Sequence, residues 1–420
     1  MDKLSQIVVA IMVIMLAIML TACTETVPET NPPPENQPAE PPPDHPIKES
    51  ADYHIGMVTL GIYSDDEVRA VEALIAKYGT VKDGGMIKHV VLPDIIEEQE
   101  LYLWDIIELG HDPLMKAIIV NPAVQGTADA FYRIKAAGRD DILLIAVMPQ
   151  DDPVVISQVA SIIVDSDNVL RGYYDIARAK EMGATTFVHM SFPRHMNYYV
   201  LARRRAIYEE ACKDLGLKFV FETLPDPAGD IDPAGARQQV YDLMPELIEK
   251  YGKDTVFFTT NTALFEPVIK RVVELGALFV DTDDMSPLCG FPAALGIDLS
   301  AESGDWPAIV KKIEAAVVAK GASGRLGLWP FSFTYTAGVG LCELAKDIIE
   351  GTDSGNALAD IVKNFHNTTP GCDWVSGNFT YPDGNKIDNY YCLTMDTYIL
   401  GKGYSGVMRE PFPEKYYRIE

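Results

Sequence analysis

"VDSDNVLRGYYDIARAKEMGATTFVHMSF" spans Val164–Phe192, and its order of elements decides the fold. Its first residues close the apolar run "SIIVDSD" (Ser161–Asp167), which reads as a strand. A helical period follows from about Leu170 to Met182, and Gly183 is a helix stop. "TTFVHMSF" is then a second apolar strand. Continuous apolar strands separated by amphipathic helices belong to parallel sheets that are covered on both faces.

The same alternation extends outward in both directions. Upstream lie strands at His54–Ile62, "IKHVVLP", Lys116–Asn121 and Ile142–Pro149, with helices at Asp65–Tyr78, Ile95–Leu109 and up to about Ala137. Downstream come a helix to about Leu215, "KFVFETL", a helix near Gly235–Tyr251, "TVFFTTN", a helix to Leu275, and "LFVDTD". The two successions predict an α/β protein of two doubly wound, Rossmann-like parallel-sheet domains. Ligands of open α/β sheets sit beyond the carboxyl ends of the strands. Two domains facing each other through those ends would enclose an inter-domain cleft.

The chain begins with a processing signal. Ile7–Leu20 is an uncharged apolar run, shorter than the ~20 residues of a spanning helix. Leu20-Thr21-Ala22-Cys23 resembles a bacterial lipobox. That resemblance implies a signal peptide over 1–22, cleavage before Cys23 and lipid on its sulfur, which places the body on the extracytoplasmic face of the cell membrane. Residues 23–51 carry the lipidated cysteine and a tether rich in Pro, Glu and Thr, which has too little apolar surface to fold. The 35 Lys+Arg against 61 Asp+Glu give a formal charge of −26. Nucleic acid is therefore excluded as a partner, because its binders need a basic footprint.

Val164–Phe192 resembles the inter-domain crossing of type I periplasmic binding proteins, with Asp167-Asn168 after the strand and a helix opening near Gly172. More narrowly, "FVHMSFPRHMNYYVLARRR" with "KYGKDTVFFTTN" is similar to an uncharacterised (domain of unknown function) family of solute-binding-like bacterial lipoproteins. The resemblance implies the type I fold, with a hinge, an N-terminal lobe at 52–168 and a C-terminal lobe at 169–300. A return segment at 301–365 would cross the hinge, and 366–420 would be an extension packed near it. The function expected is capture of a small polar ligand for an ABC-type permease. A ligand sensor for a membrane signalling partner and a surface enzyme are the alternatives on the same scaffold.

The strand ends nominate the ligand-binding residues: Tyr63, Ser64, Asn121 and Gln125 in the first lobe, and Ser191, Arg194, His195, Thr260, Asn261 and Asp283 in the second. Their hydroxyl, amide and guanidinium groups could fix a polar ligand directionally. Arg194 precedes a helix, whose positive amino end disfavours a cation. An anionic ligand or a structural carboxylate would offset that. Arg203, Arg204 and Arg205 splay around their helix and are expected on a solvated face, with an inter-domain contact as the alternative for Arg203. Tyr198, Tyr199, Trp329 and Phe331 offer rings to a sugar or nucleoside, core packing being the alternative.

Chemistry beyond binding has weak support. There is no G-x-S-x-G elbow, and the formal G-x-G-x-x-G at Gly401–Gly406 runs into "VMREPFP", a loop rather than a dinucleotide site. The calcium-loop pattern of Asp281–Asp284 breaks down at Met285. No catalytic residue, metal or cofactor is expected. Cys372 and Cys392 flank a turn-rich stretch and are a candidate disulfide, with two free thiols as the alternative. Cys212 and Cys342 read as buried helix residues.

Overall fold

The computed structural model describes residues 51–60, 66–92, 99–229 and 231–420, the side chains of 99–102 aside. The signal peptide, Cys23 and most of the tether lie outside the described residues, as do Tyr63 and Ser64.

The first lobe is built on β1 (His54–Leu60), β2 (Ile87–Leu92), β3 (Met115–Asn121), β4 (Leu143–Val147) and β5 (Ile162–Ser166). They pair in parallel in the order β2-β1-β3-β4-β5. Ile118, Ile119 and Val120 are successive yet all fully buried. Both faces of the sheet are covered, so the strands are apolar throughout rather than alternating. The connecting helices are α1 (Asp66–Tyr78), α2 (Gln99–Gly110), α3 (Thr127–Ala136) and α4 (Pro153–Ser157).

The chain leaves this lobe at Asp167, whose carboxylate accepts the Val169 and Leu170 amides and caps α5 (Asn168–Glu181). The second lobe holds β6 (Thr186–Ser191), β7 (Lys218–Thr223) and β8 (Thr255–Thr259) in the order β7-β6-β8. Between them run α6 (Pro193–Met196), α7 (Tyr199–Leu215), α8 (Pro233–Tyr251) and α9 (Phe265–Leu275). The expected strand "LFVDTD" is reduced to two bridges, Val256 with Leu278 and Phe279 with Leu326, which carry the sheet on to β9 (Gly327–Leu328). Both lobes thus follow the second-first-third-fourth-fifth order of flavodoxin-like sheets. Gly172 allows α5 and α7 to touch: a Cβ there would lie 2.7 Å from Ile207.

α10 (Phe291–Leu295) and α11 (Trp306–Ala319) precede β9. The chain then returns to the first lobe. α12 (Phe333–Glu350) packs on α1 and β3, and α13 (Ala357–Thr368) packs on α12. β10 (Trp374–Thr380) and β11 (Lys386–Met395) extend the first sheet to seven strands, with β11 parallel to β5. Only Asp396 and Thr397 separate β11 from β12 (Tyr398–Ile399), which pairs with β9 and with β13 (Gly403–Tyr404) in the second lobe. The Gly401–Gly406 motif is the loop around this last hairpin.

The ladder favours two free thiols over the candidate disulfide. Cys392 sits opposite Gly377, whereas Cys372 lies before β10, with its sulfur 3.7 Å from Met395 Sδ. At roughly 3.3 Å per residue along the strand, the two cysteines are on the order of 15 Å apart, beyond the ~7 Å Cα limit of a bridge. Both are buried free thiols, as are Cys212 on α7 and Cys342 on α12.

Candidate functional site

A cavity of about 550 Å³ opens between the lobes, at the carboxyl ends of both sheets. The first lobe lines it with Gln125 after β3, Met148 to Pro153 after β4, and Asp165 and Ser166 at the end of β5. The second lobe supplies Asn168 and Arg171 from α5, and Arg194, His195, Tyr198 and Tyr199 from the segment after β6. Pro227 and Ala228 follow β7, Thr260 to Thr262 follow β8, and Asp283 and Asp284 follow the bridging strand.

Of the residues nominated from sequence, Gln125, Arg194, His195, Thr260, Asn261 and Asp283 line this cavity, whereas Asn121 and Ser191 do not. Asn121 is buried, and its amide donates to the Thr334 carbonyl at 2.8 Å, tying β3 to α12. Ser191 is buried beneath the wall, its hydroxyl 2.6 Å from that of Thr260. Thr260 in turn meets His195 Nδ1 at 3.1 Å. Asn261 caps the following turn by accepting the Ala263 amide. Trp329 is core: its indole donates to the Thr282 carbonyl at 2.8 Å.

Arg194 has its partner inside its own lobe. Its Nε and Nη2 each donate to a different oxygen of Asp226 at 2.8 Å, a bidentate pair. Asp226 also accepts the Ala228 amide, so the pair fixes the loop that carries Pro227 and Ala228 over the cavity. His195 lies beside the Phe192 and Tyr198 rings. Burial, and secondarily the charge of Arg194, pulls its pKa down to about 4, so the ring is neutral at physiological pH.

The arginine triplet is not a solvated face. Arg203 and Arg204 are buried. Arg203 donates to the carbonyls of Ile419, Thr380 and Tyr417, stitching α7 to the first sheet and to the C-terminal tail. Arg204 pairs with Asp283 and donates to Asn168 at 2.9 Å. Arg205 lies over the Phe221 ring. The overlooked signal is that Arg204, Ile207, Tyr208 and Ala211 share one face of α7 at i, i+3, i+4 and i+7, and that face is buried.

Sequence reasoning also missed Arg171 and Arg178. With Asp175 they recur at i, i+4 and i+7 on α5, again one face. Arg178 donates to Asp175 and to Asp281, at 3.0 Å each. Arg171 donates to the carbonyls of Asp283 and Thr282, and lies 3.8 and 3.7 Å from the carboxylates of Asp281 and Asp283. Tyr208 donates to Asp175 at 2.7 Å. This buried network runs from the cavity wall into the core of the second lobe.

Asp284 stands apart from it. Its carboxylate accepts the Thr262 hydroxyl, and no ion pair reaches it among the described residues. Burial, then the neighbouring Asp283 charge, raises its pKa to about 7. Asp165, which accepts from Tyr390 and the Ser166 amide, is raised to about 6, again chiefly by burial. Asp151 is also raised by burial and accepts the Gly126 and Ala128 amides at the start of α3.

Comparison with known proteins places the chain among uncharacterised relatives. A protein of Treponema pallidum (strain Nichols) described only as uncharacterised is 42% identical over 186 residues, which is 43% of this chain and 84% of that one. A second from the same organism is 36% identical over 218 residues, covering 52% and 98%. A solved structure of a candidate transcriptional regulator from Clostridium difficile 630 superposes with a TM-score of 0.68 at 23% identity, covering 83% of this chain and 99% of that one. At that identity the likeness concerns the fold alone. A further family model matches residues 338–419. The model described as "Protein of unknown function (DUF3798)" matches residues 53–327, well over half of the sequence, and the chain belongs to that family.

Proposed function

We propose that this protein is a membrane-anchored, extracytoplasmic solute-binding lipoprotein that captures a small polar ligand between its lobes and presents it to an ABC-type permease. One observation carries the reading: a cavity of about 550 Å³, walled by both lobes at the carboxyl ends of both sheets. Small-molecule sites occupy roughly 300–1,000 Å³. A ligand that touches both walls favours the closed arrangement of the lobes by its differential affinity for it. The anchor rests on Leu20–Cys23 and the Pro-rich tether.

Binding rather than turnover fits the cavity wall. His195, the natural candidate for a base, has a pKa lowered to about 4 and a hydroxyl partner instead of a carboxylate. Asp283, an acidic group of the same wall, is held by Arg204 and Arg171. Of the two partners open to Arg194, an anionic ligand or a structural carboxylate, the carboxylate is present, since Asp226 occupies the guanidinium fork.

The test is gentle purification, denaturation and mass spectrometry of the small molecule released. Returning that molecule to the protein should raise Tm, with a stabilisation of about 2.7 kcal/mol at a hundredfold excess over Kd. An empty cleft, with no Tm shift across a broad metabolite panel, would remove the proposal.

A further inference from the structure

Resting on that reading, we infer that the ligand is a small organic amine that also bears a hydroxyl or carbonyl acceptor, with its ammonium group paired to Asp284. The charges of the cavity wall decide the sign. In the second lobe Arg171, Arg178 and Arg204 are matched by Asp175, Asp281 and Asp283 through the contacts described above. Arg194 is matched by Asp226. Among the described residues, each arginine that lines the cavity is thus neutralised by a carboxylate of the protein and is not left for an anion. Asp284 faces the same space, and among the described residues the Thr262 hydroxyl is its only side-chain partner. Across the cavity, Asp151 and Asp165 accept from amides and a phenol, and no ion pair reaches either among the described residues.

Arg171 is 2% exposed and lines the cavity, and among the described residues its Nε–H has no acceptor. An unpaired buried donor of this kind is costly until something accepts from it, which calls for an oxygen on the ligand. The Tyr198 ring on the same wall adds an aromatic face that attracts a cation. Burial, then the Asp283 charge, raises the Asp284 carboxyl to about 7, and a cation bound beside it would favour its charged form.

Calorimetry on the full chain in detergent tests the sign with matched probes that differ in charge: glucosamine, glucose and glucuronate, then putrescine, butane-1,4-diol and succinate. The molecule released on denaturation joins the panel. The expected result is binding of an amine, with its neutral and anionic counterparts at least tenfold weaker. Asp284→Asn should weaken the amine at least tenfold while leaving a folded protein, because the amide oxygen can still accept from Thr262. Asp284→Glu should recover part of the affinity. A released molecule that is neutral or anionic, or an amine held equally well by Asp284→Asn, overturns the inference while the solute-binding reading stands. No binding by any probe and no released molecule overturns both.

Discussion

Arg194 and Arg204 belong to one short run of sequence, and each meets an aspartate, but water treats them differently. The Arg194 and Asp226 side chains are 32% and 20% exposed, whereas those of Arg204 and Asp283 are 1% and 12% exposed. A pair at the surface trades contact with water for contact with its partner at little net gain. A buried pair has already lost its hydration, so removing one member strands a charge in a poor solvent. The difference separates the two tasks of the second lobe. The buried network holds the wall's frame, and the rim pair positions a loop above it.

Arg204→Ala should break the comparison most severely. Among the described residues it leaves Asp283 with only Arg171 at 3.7 Å, and a loss of about 3–5 kcal/mol in urea unfolding is expected. A loss under ~1 kcal/mol would mean that burial makes no difference here. Arg203→Ala removes three charge-assisted bonds to carbonyls at once, for an expected ~2–3 kcal/mol. Limited proteolysis should then find the C-terminal tail cut before the rest of the body, and uniform digestion would count against the stitching role.

Asp284→Asn sharpens the comparison in the opposite direction by stabilising the unliganded protein. Folding raises this carboxyl from an ordinary 3.8 to about 7, with Asp283, Asp66, Arg171 and Arg204 as the charges that face it. Its contribution to stability is therefore fullest below about pH 4 and is lost as pH rises through 7. The variant's advantage should be near zero at pH 4, grow up to pH 7 and level off at ~1–2 kcal/mol, discounted for partial solvation. An advantage that shrinks with rising pH would reverse the assignment. Arg194→Ala should cost least, under ~1 kcal/mol of stability. Its effect belongs in ligand affinity, through the freed loop at Pro227 and Ala228, and unchanged affinity would make the pair incidental.

The fold was legible because burial of both sheet faces writes itself as uninterrupted apolar runs, as in Ile118–Val120. The strand at Leu278–Phe279 was overstated, since its ladder is two bridges rather than a continuous pairing. For the site, topology pointed to the right edge of each sheet, and His195, Thr260, Asn261 and Asp283 are on the cavity wall. Ser191 turned inward because its hydroxyl meets Thr260, a choice of side-chain direction that strand position alone does not specify. The arginines of α5 and α7 were hidden by their type. A charged residue suggests solvent, and only its spacing with apolar and acidic neighbours shows that it is buried.

Among the described residues the chain passes between the lobes three times, near Asp167, between Leu328 and Phe333, and at Asp396-Thr397. Mechanically these are leaf springs mounted side by side. Such an assembly bends readily about one line but resists torsion and sliding, because those motions stretch one leaf against another. Opening would then be close to a single angular coordinate, and a ligand would be reported as one number. A spin-label pair across the mouth should register two distances, open and shut, and a pair beside the springs should register almost no change.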